Sequence, residues 1–123
     1  MAIRVLLIED DVNDRELQER ALHDAGFKVI TAVNGKDGFA TALANRPDIV
    51  LCDVQMPHGS GYWVAESFKS NRVLGDIPVI ALTGQHGMFA DEKAALEAGA
   101  DALLLKPLDV LRFTKLAHNL CRM

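Results

Sequence analysis

The sequence predicts an α/β domain: a doubly wound parallel sheet with helices on both faces. Three observations carry this. The chain has 123 residues, the length of one domain. Five apolar runs alternate with five stretches of helical period, the pattern of a parallel sheet built by crossover connections. The runs are also apolar almost throughout, as strands covered on both faces are, rather than alternating.

The first run is 3–8, and the helical stretch after it places Leu17, Ala21, Leu22 and Ala25 on one face. Gly26 ends that helix by accepting a left-handed backbone. A weaker run, 27–33, follows, then a turn at Asn34-Gly35. Phe39, Ala40, Leu43 and Ala44 form the next stripe, and Pro47 stops it. After the run 48–52, a shorter stripe of Val64, Ala65 and Phe68 follows Gly61. After 77–82 come Met88, Asp91, Ala95 and Ala98, with Gly99 at the end. The last run, 102–105, leads to Val110, Phe113, Ala117 and Leu120, with Asp109 as a natural N-cap. Right-handed crossovers then put every strand's carboxyl end on one edge. Residues 1–123 read as a single domain, with no linker, repeat or low-complexity segment.

Composition narrows the function classes. Half the residues are hydrophobic and 24% charged, enough for a core without disulfide or structural metal and unlike a disordered chain. No apolar run approaches the ~18–20 residues of a membrane span. The start lacks the apolar stretch of a signal peptide, so a cytoplasmic location is expected. Thirteen basic against 17 acidic residues give a net charge of −4, which argues against direct nucleic-acid binding. Cys52 and Cys121 stand far apart in apolar surroundings and read as buried free thiols.

Ligands of open α/β sheets bind beyond the carboxyl ends of the strands. There the sequence places Glu9-Asp10-Asp11 after the first run, Asp53 after the third, Thr83-Gly84 at the fourth and Lys106-Pro107 at the fifth. Each has an ordinary reading alone: a helix N-terminus for the acids, a turn for Asp53, a strand-former for Thr83, a loop for Lys106-Pro107. Together they converge on one edge. Like charges ~4 Å apart repel by about 4 kcal/mol at an effective dielectric of 20, so clustered carboxylates raise a pKa or recruit a cation. The donors are all oxygen, which suits a hard divalent cation such as Mg²⁺. A carboxylate, a metal and Lys106 around one position, with Thr83 to bond an oxygen, are the parts that receive a phosphoryl group.

On these residues, with Met56-Pro57, Gly61 and Ala98-Gly99-Ala100, the sequence resembles the receiver domain of two-component response regulators over essentially its whole length. The resemblance implies the flavodoxin-like (βα)5 fold with strand order 2-1-3-4-5. Asp53 would be the phosphoacceptor, taking a phosphoryl group from a phosphohistidine. Asp10, Asp53 and the backbone carbonyl of Gln55 would bind Mg²⁺ or Mn²⁺, and Glu9 would act through a metal-bound water. Lys106 would pair with Asp53 and then with the phosphoryl group, Thr83 would contact a phosphoryl oxygen, and the Lys106-Pro107 bond would be cis. The partners would be a histidine kinase or histidine phosphotransfer domain and a downstream effector, with no membrane. The domain would catalyse only its own phosphotransfer and dephosphorylation, as a switch and not as a turnover enzyme.

Two departures stand out: Leu103 occupies a position usually aromatic in the family, and Ser60 one often acidic. The first keeps open a receiver-fold interaction module that does not use phosphorylation. A metal-dependent phosphohydrolase lacks its general acid, because Gln55 stands two residues after Asp53. Trp63 is expected to be partly buried against the loop. His58 and His86 read as loop residues, His23 and His118 as helix surface, and Arg112, Lys115 and Arg122 as a solvated face. These 123 residues leave no room for an output domain, so a stand-alone regulator and a piece of a longer protein such as a hybrid kinase are both expected possibilities.

Overall fold

Runs rich in Val, Ile and Leu form the strands, and the polar, Gly- and Pro-marked segments between them set where the helices start and stop. A computed structural model describes residues 2–54, 61–84 and 88–121, with residues 88–92 by backbone alone. The order is β1 (Arg4–Ile8), α1 (Val12–Asp24), β2 (Lys28–Ala32), α2 (Gly35–Asn45), β3 (Ile49–Asp53), α3 (Gly61–Ser70), β4 (Val79–Thr83), α4 (Met88–Ala98), β5 (Ala102–Leu105) and α5 (Val110–Cys121). Among the described residues the strands form one parallel sheet in the order β2-β1-β3-β4-β5, the flavodoxin-like order.

Side chains alternate along each strand, so the sheet sorts its apolar residues onto two cores. Leu6, Ile8, Val50, Cys52, Val79 and Ala81 face α2, α3 and α4, where Ala42, Phe68 and Ala95 meet them. Val5, Leu7, Ile49, Leu51, Ile80 and Leu82 face α1 and α5, where Leu22 and Phe113 cover them. The free Cys52 is buried and Cys121 half-buried.

Several local expectations hold. Gly26 and Gly99 lie at φ 98° and 114° and end α1 and α4. The turn at Asn34 is an N-cap, its side chain accepting from Asp37 N at 2.8 Å. Asp109 accepts from Leu111 N at 3.0 Å and Arg112 N at 3.3 Å at the start of α5. The Lys106-Pro107 bond is cis. His23 and His118 are exposed. Trp63, expected to be covered by the loop, is instead exposed and stacks edge-to-face on Phe39 of α2, with ring centroids 6.0 Å apart.

Two helices turn differently from their predicted stripes. In α1 the buried residues are Gln18 and Leu22, while Leu17 is 67% exposed. In α2 they are Gly35, Gly38 and Ala42, with Leu43 exposed. A Cβ on Gly38 would stand 2.8 Å from Ile8 Cγ1, so α2 presses its smallest residues onto the sheet. Periodicity tracks bulk, whereas close helix–sheet approach selects small side chains.

The strand ends also shift in a way that matters. β3 runs through Asp53 and β4 through Thr83, so both belong to the sheet rather than to the loops beyond it. β4 begins two residues later than predicted, because Ile77 N is held in a turn by Leu74 O at 3.0 Å.

Candidate functional site

The sheet's carboxyl edge gathers the polar residues. Glu9 follows β1 directly and its backbone N donates to Ala32 O at 3.1 Å. Asp53 closes β3, and Val54 N continues the ladder to Leu82 O at 2.8 Å. A Cβ on Gly61 would meet Asp53 O and Val54 Cα at 2.9 Å, so glycine is what lets α3 start against this strand end. Lys106 follows β5, and its backbone N donates to Thr83 O at 2.6 Å, which locks the ends of β4 and β5 together. Glu9, Asp53 and Thr83 are buried, while Asp10 is exposed at the mouth.

Lys106 is the hub. Its Nζ donates to Asp53 Oδ2 at 2.8 Å and lies 3.2 Å from Glu9 Oε1 and 3.6 Å from Asp14 Oδ2. Carboxylate oxygens of Glu9, Asp10 and Asp53 all lie within 4.8 Å of one another. Of the predicted residues, the structure thus brings Glu9, Asp10, Asp53 and Lys106 together, with Thr83 tied to Lys106 through the backbone. Gln55, Met56-Pro57, Ser60, His58 and His86 lie outside the described residues, so the Gln55 carbonyl is not placed.

Burial, then the Asp53 hydrogen bond and charge, push the Glu9 carboxyl up to about 7, against the pull of Lys106. Burial disfavours the Lys106 ammonium, but its contacts with Asp53 and Glu9 outweigh that and hold its pKa above the ordinary lysine value. Burial, then the charges of Asp53 and Glu9, raise the neighbouring Cys52 thiol well above its usual value, so it stays neutral.

The folded state therefore holds the Glu9 proton more tightly than the unfolded chain, whose reference value is 4.5. The stability this contributes is fully present below the unfolded value and is lost as pH rises through about 7. Without divalent cation, Glu9 is expected to cost the fold about 3 kcal/mol between pH 5 and pH 8. Urea denaturation in EDTA at the two pH values measures it. Glu9→Gln should flatten the difference, and an equally steep profile in that variant contradicts the assignment.

Sequence reasoning missed Asp14 and Gln18. Both lie on α1, one turn apart, and face the site: Gln18 Nε2 donates to Glu9 Oε1 at 3.4 Å. Their signal was a polar residue at each of two successive inward positions, hidden by the apparent stripe through Leu17. Asp11, by contrast, has the ordinary role of an acid after a strand. It caps α1, accepting from Asp14 N at 2.8 Å. Arg15 Nη1 donates to Glu9 O at 3.0 Å at the margin of the cluster.

An all-oxygen donor set at this spacing fits a hard divalent cation. Such an ion would be held by Asp10 and Asp53 with Glu9 beside them, and would supply charge neutralisation for an incoming anion. Beside the acids runs a groove lined by Asp14, Leu17, Gln18, Ala21, Lys106, Pro107 and Leu108. No helix among the described residues is long and apolar enough to cross a membrane.

The chain is similar to known proteins in sequence and in fold. The chain is 38% identical over 104 residues to the transcriptional regulatory protein PrrA of Mycobacterium bovis, covering 85% of this chain and 43% of PrrA. The chain thus spans less than half the length of that relative. It is 34% identical to the polar-differentiation response regulator DivK of Brucella anthropi, over 89% of this chain and 88% of DivK. The receiver domain of the sensor histidine kinase PA1611 from Pseudomonas aeruginosa PAO1, solved with magnesium in its active site cleft, superposes with a TM-score of 0.88 at 24% identity, over 100% of both chains. The family model for the response regulator receiver domain matches residues 5–118. With that match over nearly its whole length, the chain belongs to the response regulator receiver domains of two-component signalling.

Proposed function

We propose that residues 1–123 act as a single phosphoacceptor domain, taking a phosphoryl group from a phosphohistidine onto Asp53 with the help of Mg²⁺. The observation that carries this is the placing of Lys106 Nζ 2.8 Å from Asp53 Oδ2 beside a cluster of carboxylate oxygens. One Asp53 oxygen attacks phosphorus as the P–N bond breaks, and the electron pair leaves with the imidazole. Lys106, already beside that carboxylate, then pairs with the transferred group, and Thr83 bonds one of its oxygens. Asp10, Asp53 and the Gln55 carbonyl, with Glu9 nearby, would hold Mg²⁺ or Mn²⁺, which would supply charge neutralisation for the group. Positioning and charge neutralisation supply most of such catalysis. Phosphorylation and hydrolysis of the acyl phosphate are the domain's own chemistry, and the phosphorylated and free forms differ in conformation.

The phosphodonor partner is a histidine kinase or a histidine phosphotransfer domain, met in the cytoplasm. The groove beside the acceptor, with Leu17, Pro107 and Leu108 on its walls and Lys106 at its head, gives that partner apolar ground next to Asp53. The expectation that no nucleic acid is involved rests on the charge of these 123 residues. It does not extend to a longer protein containing them, because PrrA is a transcriptional regulatory protein.

The test is incubation with acetyl phosphate in MgCl₂ and in EDTA, read by mass spectrometry of the intact chain. A gain of one phosphoryl group in MgCl₂ alone is expected. No gain in either condition rejects the reading in favour of an interaction module that does not use phosphorylation, the alternative that Leu103 leaves open.

A further inference from the structure

Gln18 is a buried amide at a position where a helix packed on a sheet ordinarily carries an apolar residue. It is 8% exposed. Its Oε1 is buried with no hydrogen-bond partner, an arrangement that penalises folding relative to a Leu or Met of similar size. The hydrogen bond found for its side chain runs from Nε2 to Glu9 Oε1, the oxygen that also faces Lys106. The amide's donor is thus directed at the site. Lys106 is shared with Asp53 and Asp14, and it must follow the phosphoryl group when one arrives. Gln18 is neutral, sits on a helix and has no such second duty, so it keeps Glu9 Oε1 fixed when Lys106 turns away. Glu9 is the innermost of the clustered acids, so its orientation would decide how its carboxylate faces a bound cation. We propose that Gln18 is a positioning residue of this site, holding the Glu9 carboxylate in the orientation that divalent-cation binding requires.

This rests on the proposed Mg²⁺ role, and the test separates the two. The full chain, Gln18→Leu, Gln18→Met, Glu9→Ala and Glu9→Ala/Gln18→Leu are titrated with MgCl₂ by calorimetry and melted in EDTA. Outer partners of metal ligands typically govern about tenfold or more in affinity, so both Gln18 variants should bind Mg²⁺ about tenfold more weakly. Their melting temperatures in EDTA should equal or exceed the wild-type value, because the orphan acceptor is gone. In the Glu9→Ala background, Gln18→Leu should change the affinity no further, which a merely structural role would not produce. Wild-type affinity in both Gln18 variants overturns the inference and leaves the Mg²⁺ reading intact. So does a loss that persists undiminished without Glu9, or a failure of both variants to fold, since either puts the amide's role in the fold. A wild-type chain that binds no Mg²⁺ overturns both.

Discussion

Asp53→Asn is expected to abolish covalent phosphoryl uptake altogether. The side chain keeps its shape and can still bond Lys106, but the amide has no nucleophilic oxyanion to form the acyl phosphate. Among the described residues no other carboxylate is placed to substitute. Asp10 and Asp14 are more exposed, and Glu9 is buried with its proton held up to about 7. Intact-mass measurement after acetyl phosphate and MgCl₂ should show no added phosphoryl group, and a wild-type gain would refute Asp53 as the acceptor. The same variant has a second readout. Asp53 raises the Glu9 pKa through both a hydrogen bond and its charge. Its neutralisation should move the Glu9-dependent loss of stability in EDTA to lower pH.

Lys106→Met should lower the rate of phosphoryl uptake about a hundredfold or more while leaving Asp53 able to react. An ammonium aimed at the charge that develops on the transferring group is worth about that much in comparable sites. The loss should be in rate rather than in Mg²⁺ affinity, because Lys106, bound to Asp53 and Glu9, would compete with a cation for them. Affinity for Mg²⁺ should therefore hold or rise. In EDTA at pH 8 the variant leaves Glu9, Asp14 and Asp53 without their shared cation. Breaking a buried pair costs about 3–5 kcal/mol, and solvent at Lys106 and Asp14 reduces this to about 1–2 kcal/mol here. MgCl₂ or pH 5 should restore most of it. Uptake at the wild-type rate, by the same mass assay taken as a time course, would remove Lys106 from the mechanism.

The expected thermodynamic and chemical effects concern one residue set, and much of that set is visible in the order of the chain. Each strand run ends in its polar residue, and parallel alternation sends all those ends to one edge, so Asp10, Asp53, Thr83 and Lys106 can be named before any coordinates. The details of reach are different. That Asp53 and Thr83 are the last strand residues follows from ladder bonds across the sheet, such as Val54 N to Leu82 O at 2.8 Å, which no local pattern contains. Gln55, the one proposed ligand supplied by a backbone carbonyl, carries no side-chain signature at all and lies outside the described residues.

By itself, the sequence determined the alternation of strands and helices, the edge where the acids and Lys106 collect, and the family the chain resembles. These follow from chain order, strand parity and the fixed hand of crossovers, all of which are local or topological. Only the tertiary structure decided which way α1 and α2 turn. Each residue advances a helix by 100°, so a small rotation exchanges Leu17 for Gln18 at the sheet. What sets that rotation is the surface beneath: Glu9 and Lys106 under α1, and the bulk of Ile8 under Gly38 of α2. Those neighbours lie at other places along the chain, and only folding brings them under the helix.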